Sequence, residues 1–517
     1  MNTRCLQTLA LILFLMALSI TVSATHLRAA QITVERVSGL TYRITVTAYL
    51  NTLSNTPFGG NNFEDGAITF GDGNLRIIPQ IAATPRPDLG LNIAVASYTT
   101  THTYAQNGVY KINYRERDRS GGILNIPLAF DVAYSTYTTI NTNITNHFPT
   151  FSIPPVDKAC HGQIFFHNAG ASDEDGDLLT YELAIPQKDA NNPVDGYKSP
   201  DSPQFYSNSN YGTANEDGTG PPSFSIDEAT GQLTWDAPGN IGEYNVSFKI
   251  IERRLNTETN ELELLSESIR DMQILVDDCA NLRPTLSVPA NKCIEAKTVI
   301  DFQVTGVDPE GRDVKLEAVS EIFDYSIDKI PATYLPSPFD FKPTPAALTV
   351  HWNTECIHAR EQPYQIVFKA TDNPPHDTPL VTFQNMSVKV LAPAPTWISV
   401  VPDLAKRHAI LKWNDYTCQN AESIQVWRRV GSFNYSPSAC SAGLPKNYGY
   451  ELVASLDPGI SEFIDTNDGK GLAVAAQYCY RLIAFFQMPA GGSSYVSTES
   501  CMDPIYSDAP VITHVFL

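Results

Sequence analysis

The chain of 517 residues is short of basic charge, of long apolar runs and of helical periodicity, and each shortage closes off a class of protein. Lys and Arg number 35 against 56 Asp and Glu, a net charge of −21. A nucleic-acid partner needs the opposite sign, so that class is excluded. The longest apolar run, Leu9 to Leu18, is too short to span a bilayer. No segment carries a long apolar stripe with a 3.6-residue period, which excludes helical bundles. No cysteine pair has CxxC spacing and no histidine pair HxxxH spacing, which argues against zinc. There is no GxSxG, no HExxH and no phosphate-cradling glycine loop, so nothing points to an enzyme.

What is present begins with an export signal. Arg4 supplies the positive charge, Leu9–Leu18 the apolar stretch, and Val22-Ser23-Ala24 the small residues before a cut. Residues 1–24 are therefore expected to be removed, leaving Thr25 at the mature start. Cys5 goes with them. The remaining eight cysteines are an even set in an exported chain, which predicts disulfides. If each bond stays within one module, the pairs are Cys160–Cys279, Cys293–Cys356, Cys418–Cys440 and Cys479–Cys501. Closing a short loop of this kind stabilises by roughly 3 kcal/mol in the chain-entropy model.

The main pattern has period two. Tyr42, Ile44, Val46, Ala48 and Leu50 alternate with polar neighbours, as do Tyr244, Val246, Phe248 and Ile250, and Tyr364, Ile366, Phe368 and Ala370. Each run reads as a strand with one buried face. Gly, Pro, Asn and Asp clusters divide the runs at short intervals. The fold class is all-β, a tandem array of immunoglobulin-like β-sandwich modules. The expected modules are 25–146, 147–279, 280–391 and 392–506. Residues 507–517 repeat the opening of the fourth module and predict the start of a further, truncated one. Modules two and three read as diverged copies: an acidic turn, a Trp (Trp235, Trp352), then a Tyr-led strand.

Three motifs invite chemistry. In module one, Phe70-Gly71-Asp72-Gly73 precedes Thr101-His102-Thr103-Tyr104. In module two, Asp173, Asp175 and Asp177 alternate beside Gly176. Carboxylates this dense repel unless a cation sits among them, and clustered oxygens suit calcium. A solvated acidic turn is the simpler reading. In module four, Ile410 to Trp413 and Tyr478 to Leu482 predict two strands, with Trp413 as the buried anchor. Alternation there sets Cys479 and Arg481 against Tyr478, Tyr480 and Leu482, which predicts a Cys479–Cys501 staple on the surface.

The GDG and HTY pair resembles the polycystic-kidney-disease module. The DEDGD turn of Asp173 to Asp177 resembles cadherin-like and immunoglobulin-like repeats, and module four a fibronectin type III sandwich. In this order, behind Ala24-Thr25-His26-Leu27-Arg28-Ala29, the whole is similar to the gliding-motility-associated secreted proteins of gliding bacteria. That resemblance implies export, passage over the outer membrane by the type IX secretion machinery, and an extracellular or outer cell-surface place. It implies adhesion or scaffolding, with a protein or glycan ligand. The C-terminal sorting domain of that family is not in this sequence. The rival reading is a carbohydrate-binding accessory protein of polysaccharide degradation, recognising glycan with exposed aromatic rings.

Overall fold

The computed structural model describes residues 27–506, apart from 54–56, 61, 64–65, 91, 118, 208–209, 257–258, 260, 326–329 and 376. The expected export signal, 1–24, and the expected truncated module, 507–517, both lie outside the described residues. Among the described residues no helix is long and apolar enough to cross a membrane. The elements are β-strands and short 3-10 turns.

Alternation becomes packing as the period requires. In Thr41–Asn51 the residues Tyr42, Ile44, Val46 and Ala48 are buried beneath Thr41, Arg43, Thr45 and Thr47. The strand lies between Leu27–Ser38 and Ile93–Thr103, antiparallel to both. A second layer, Ala67–Thr69, Val109–Glu116 and Tyr134–Asn141, closes on a core that includes Ile68, Ile112, Tyr114 and Ile140.

Modules one and two are not beads on a string. The long hairpin Gly242–Asn256 and Glu261–Asp277 belongs to module two, yet its second strand pairs with Ala29 and Ala30 and with Thr138 to Ile140. One hydrogen-bonded sheet of twelve strands therefore runs across the expected 146/147 division. Behind the seam lies a fully buried ion pair. Arg119 donates to both Asp271 oxygens, at 3.1 and 2.7 Å, and neither side chain is exposed. Asn245 donates to Asp271 at 2.6 Å and accepts from Arg119 at 2.8 Å. Removing one partner of such a pair strands a charge, which costs roughly 3–5 kcal/mol.

Modules two and three repeat one plan. In each, a short cysteine-bearing strand runs parallel to the last long strand: Asp157–Cys160 beside Ile274 to Asp277, and Lys292–Glu295 beside Val388 to Leu391. In each, a buried Trp meets a Tyr edge to face, Trp235 on Tyr244 at 4.9 Å and Trp352 on Tyr364 at 5.0 Å. The two modules touch through Ile153, Val367 and Phe383. Module four packs sheets of three and four strands around Trp413, which is 1% exposed.

Four disulfides form, and two are not the expected pairs. Cys160–Cys279 and Cys479–Cys501 stay within their modules. Cys293 joins Cys440, and Cys356 joins Cys418, so both of these bonds cross from module three to module four. The expected Cys293–Cys356 and Cys418–Cys440 are thereby replaced. The cause is close docking: Glu361 donates its amide to the Ala490 carbonyl at 2.9 Å, and Asn420 donates to the Cys356 carbonyl at 3.2 Å. The surface staple also needs correction. Cys479 is 0% and Arg481 4% exposed, and the segment 431–450 folds over Arg481, which donates to the Phe433 carbonyl and the Tyr450 hydroxyl.

Candidate functional site

The acidic turn of module two is set by its own backbone. Gly176 takes φ +76° and donates its amide to the Asp173 carbonyl, and the Asp177 amide donates to Asp173 Oδ1 at 2.9 Å. The three aspartates then part company. Asp175 accepts from His147 Nδ1 at 2.8 Å and from Arg254 Nη2 at 2.8 Å. Asp177 is gripped by Arg254 through both oxygens, at 2.8 and 2.6 Å. Asp173 turns inward to Glu252. The oxygens of Asp173, Asp177 and Glu252 lie within 4.8 Å of one another, all three residues buried. Asp175 is outside that group.

Glu252 and Arg254 were not singled out in the sequence, although a signal existed. They continue the inward phase of Tyr244, Val246, Phe248 and Ile250, where a charged residue needs a partner. Glu252 accepts from Asn146 at 2.7 Å and from Ser266 at 2.5 Å. Asp173 Oδ2 is buried without a hydrogen-bond donor among the described residues. Burial pushes the Asp173 carboxyl up to about 7, with the Asp177 and Asp175 charges adding to it. Burial, then the Asp173 charge, carries Glu252 well above the ordinary range. The arrangement holds a proton between Asp173 and Glu252, while Arg254 neutralises Asp175 and Asp177. A divalent cation is the other way to balance the same oxygens.

The GDG and HTY motif of module one forms a closed turn. Asp72 accepts from the Asn74 amide and side chain, each at 3.0 Å, and from His102 Nε2 at 2.7 Å. Burial works against the Asp72 charge, but these bonds outweigh it and hold the carboxyl below its usual value. His102 stacks on Phe70 at 4.1 Å, and Tyr104 donates to the Phe70 carbonyl at 2.9 Å. Gly71 (φ +83°) is needed because a Cβ there would stand 2.7 Å from the Lys111 nitrogen.

In module four the covering segment is an Arg and aromatic belt. Arg481 donates to the Tyr450 hydroxyl at 2.9 Å and to the Ser497 carbonyl at 2.8 Å. Tyr435 and Tyr448 pack at 4.9 Å, and Phe433 and Tyr448 at 5.0 Å. These rings are half-buried over the sheet.

No family model matches the chain, and no curated protein does. Solved structures are similar in local architecture. A fibronectin-III-like protein from Clostridium thermocellum is 24% identical, covering 23% of this chain and 96% of its own, with a TM-score of 0.15. A crystal structure of titin domains is 9% identical over 69% of this chain and 97% of its own, TM-score 0.18. The chicken CNTN1 FN1-FN3 domains are 11% identical over 69% and 97%, TM-score 0.18. At such scores the likeness carries no argument, and the fold assignment stands on the sheets described above.

Proposed function

We propose that this chain is an exported adhesion scaffold, working outside the cell or on its outer surface. One observation carries the reading: two disulfides cross from module three to module four while a single sheet crosses from module one to module two. Disulfides persist in oxidising compartments, which supports an extracellular place. Fused modules resist bending and hold a binding face at a fixed distance, which suits a spacer that bears load. Passage through type IX secretion machinery and a part in gliding motility belong to the same reading and rest on the sequence resemblance. Protease treatment of intact cells carrying the whole gene product tests it. Loss of the chain from the surface with cytoplasmic markers intact is the expected result, and a chain protected inside the cell overturns the proposal.

A further inference from the structure

Between modules two and three lies an open cleft of about 560 Å³. That is within the roughly 300–1,000 Å³ of small-molecule sites, which favour domain junctions. One wall is the strand pair Ser223–Ile226 and Leu233–Asp236 with the turn that joins them; the other is the strand Val381–Leu391. We propose that this cleft binds a short, uncharged oligosaccharide. The proposal deepens the reading of the chain as an extracellular adhesion scaffold and rests on it.

The chemistry of the walls selects the ligand. Ser225 and Thr234 face each other as cross-strand partners and line the cleft with Asp227 and Gln384. The two hydroxyls and the Gln384 amide make no hydrogen bond to any described residue. Asp227 uses one oxygen to accept from Thr230 and two backbone amides, and its other oxygen has no such donor. Hydroxyls and amides both donate and accept, and a fixed carboxylate oxygen takes a sugar hydroxyl, so the set matches a polyol. No Lys or Arg lines the cleft, which disfavours an anionic ligand.

The cleft is also built in advance. Asn385 donates to Gln232 Oε1 at 3.1 Å, and Asn168 donates to Asn385 Oδ1 at 3.3 Å, so amides lace the two modules together at its base. Phe383, 2% exposed, packs on Ile153 and Val367 beneath. A site that needs no closure loses less ordering entropy on binding. Sequence reasoning missed it because its two walls are some 150 residues apart, as Gln232 and Asn385 are.

The test uses the mature chain from Thr25 on an array of neutral and acidic glycans, followed by calorimetric titration of the best neutral one. Saturable binding of a neutral glycan is expected, with Kd weakened at least tenfold by Thr234→Trp, which fills the cleft, and by the pair Ser225→Ala and Gln384→Ala. An unchanged thermal melt shows that each variant folds. The inference falls if no neutral glycan is retained, if acidic glycans are preferred, or if the variants bind as the parent does. It falls too if an extended peptide, pairing along the edge strand Ser223–Ile226, binds in place of sugar. The two readings fail separately: a surface-exposed chain that binds no glycan sinks this site and leaves the scaffold, whereas a chain kept inside the cell sinks the scaffold whatever the array shows.

Discussion

Modules two and three are the same sandwich with its charges rearranged. Asp173 in one and Asp308 in the other cap equivalent turns, each accepting the amide four residues on, at 2.9 Å. Each faces an acid on the Tyr-led strand, Glu252 or Asp372. The balancing cation differs. Module two keeps a carboxylate at Asp177 and brings Arg254 from the hairpin. Module three places Arg312 in the turn itself, where it donates to Glu310 at 3.1 Å and to the linker residue Asn281. Asn281 in turn donates to Asp372 at 2.6 Å. The fold therefore fixes where two acids meet, while the sequence decides whether a neighbour, the linker or a proton answers them.

The disulfides break the comparison most strongly. Module two closes its own loop through Cys160–Cys279, a separation of 119 residues, whereas module three exports both cysteines to module four. The chain-entropy model assigns about 4–5 kcal/mol to a loop near that length. Cys160→Ala with Cys279→Ala should destabilise module two by about that much and leave module four's melting unchanged. Cys293→Ala with Cys440→Ala should instead loosen the third and fourth modules together. Calorimetry separates the two, and a common drop in every transition would mean that the modules unfold as one.

The buried tryptophans sharpen it next. Each Trp→Ala should cost roughly 3–5 kcal/mol by cavity formation. Trp→Phe distinguishes them. Trp235 donates to the Tyr206 hydroxyl at 2.9 Å, whereas Trp352 Nε1 has no acceptor among the described residues. Trp235→Phe therefore loses a hydrogen bond as well as volume, an extra cost of about 1 kcal/mol. Denaturant melts of the two variants giving equal losses would refute this.

How much of this was legible depends on range. Period-two runs such as Tyr42 to Leu50 identified strands, because burial on one face is a local property of the chain. The Trp235 and Trp352 repeats identified two copies for the same reason. The crossed disulfides were not legible: spacing counts residues, and Cys293 meets Cys440 only because two modules dock. The buried staple failed on the same ground. Alternation gave Cys479 and Arg481 the outer face of their strand, but nothing local says that residues 431–450 return to cover it. In the acidic turn, Asp173, Asp175 and Asp177 were visible as a group, but the partition among Glu252, His147 and Arg254 is made by strands that pair across the module.

The smallest effect concerns protons, and it probes the rearranged charges directly. The folded value for Asp173, about 7, lies above its ordinary 3.8 because burial penalises the charge. The native state thus binds more protons than the unfolded chain between those limits. Stability is then fully present at the acid end of the window and falls as pH rises through it. Because Asp173 and Glu252 share the proton, the fall should be about 1–2 kcal/mol, less than an isolated shift would give. In module three burial pushes Asp372 up to about 6, so its decline should finish about one unit lower. Thermal melts of the full chain between pH 4 and 8 measure both. Asp173→Asn should remove the upper part of the fall and Asp372→Asn the lower, since neither amide ionises. Chelator should leave the parent curve unchanged, for Arg254 already neutralises Asp175 and Asp177. A fall that calcium abolishes and chelator restores would instead put an ion among Asp173, Asp177 and Glu252, and would make module two, unlike its copy, a metal-dependent fold.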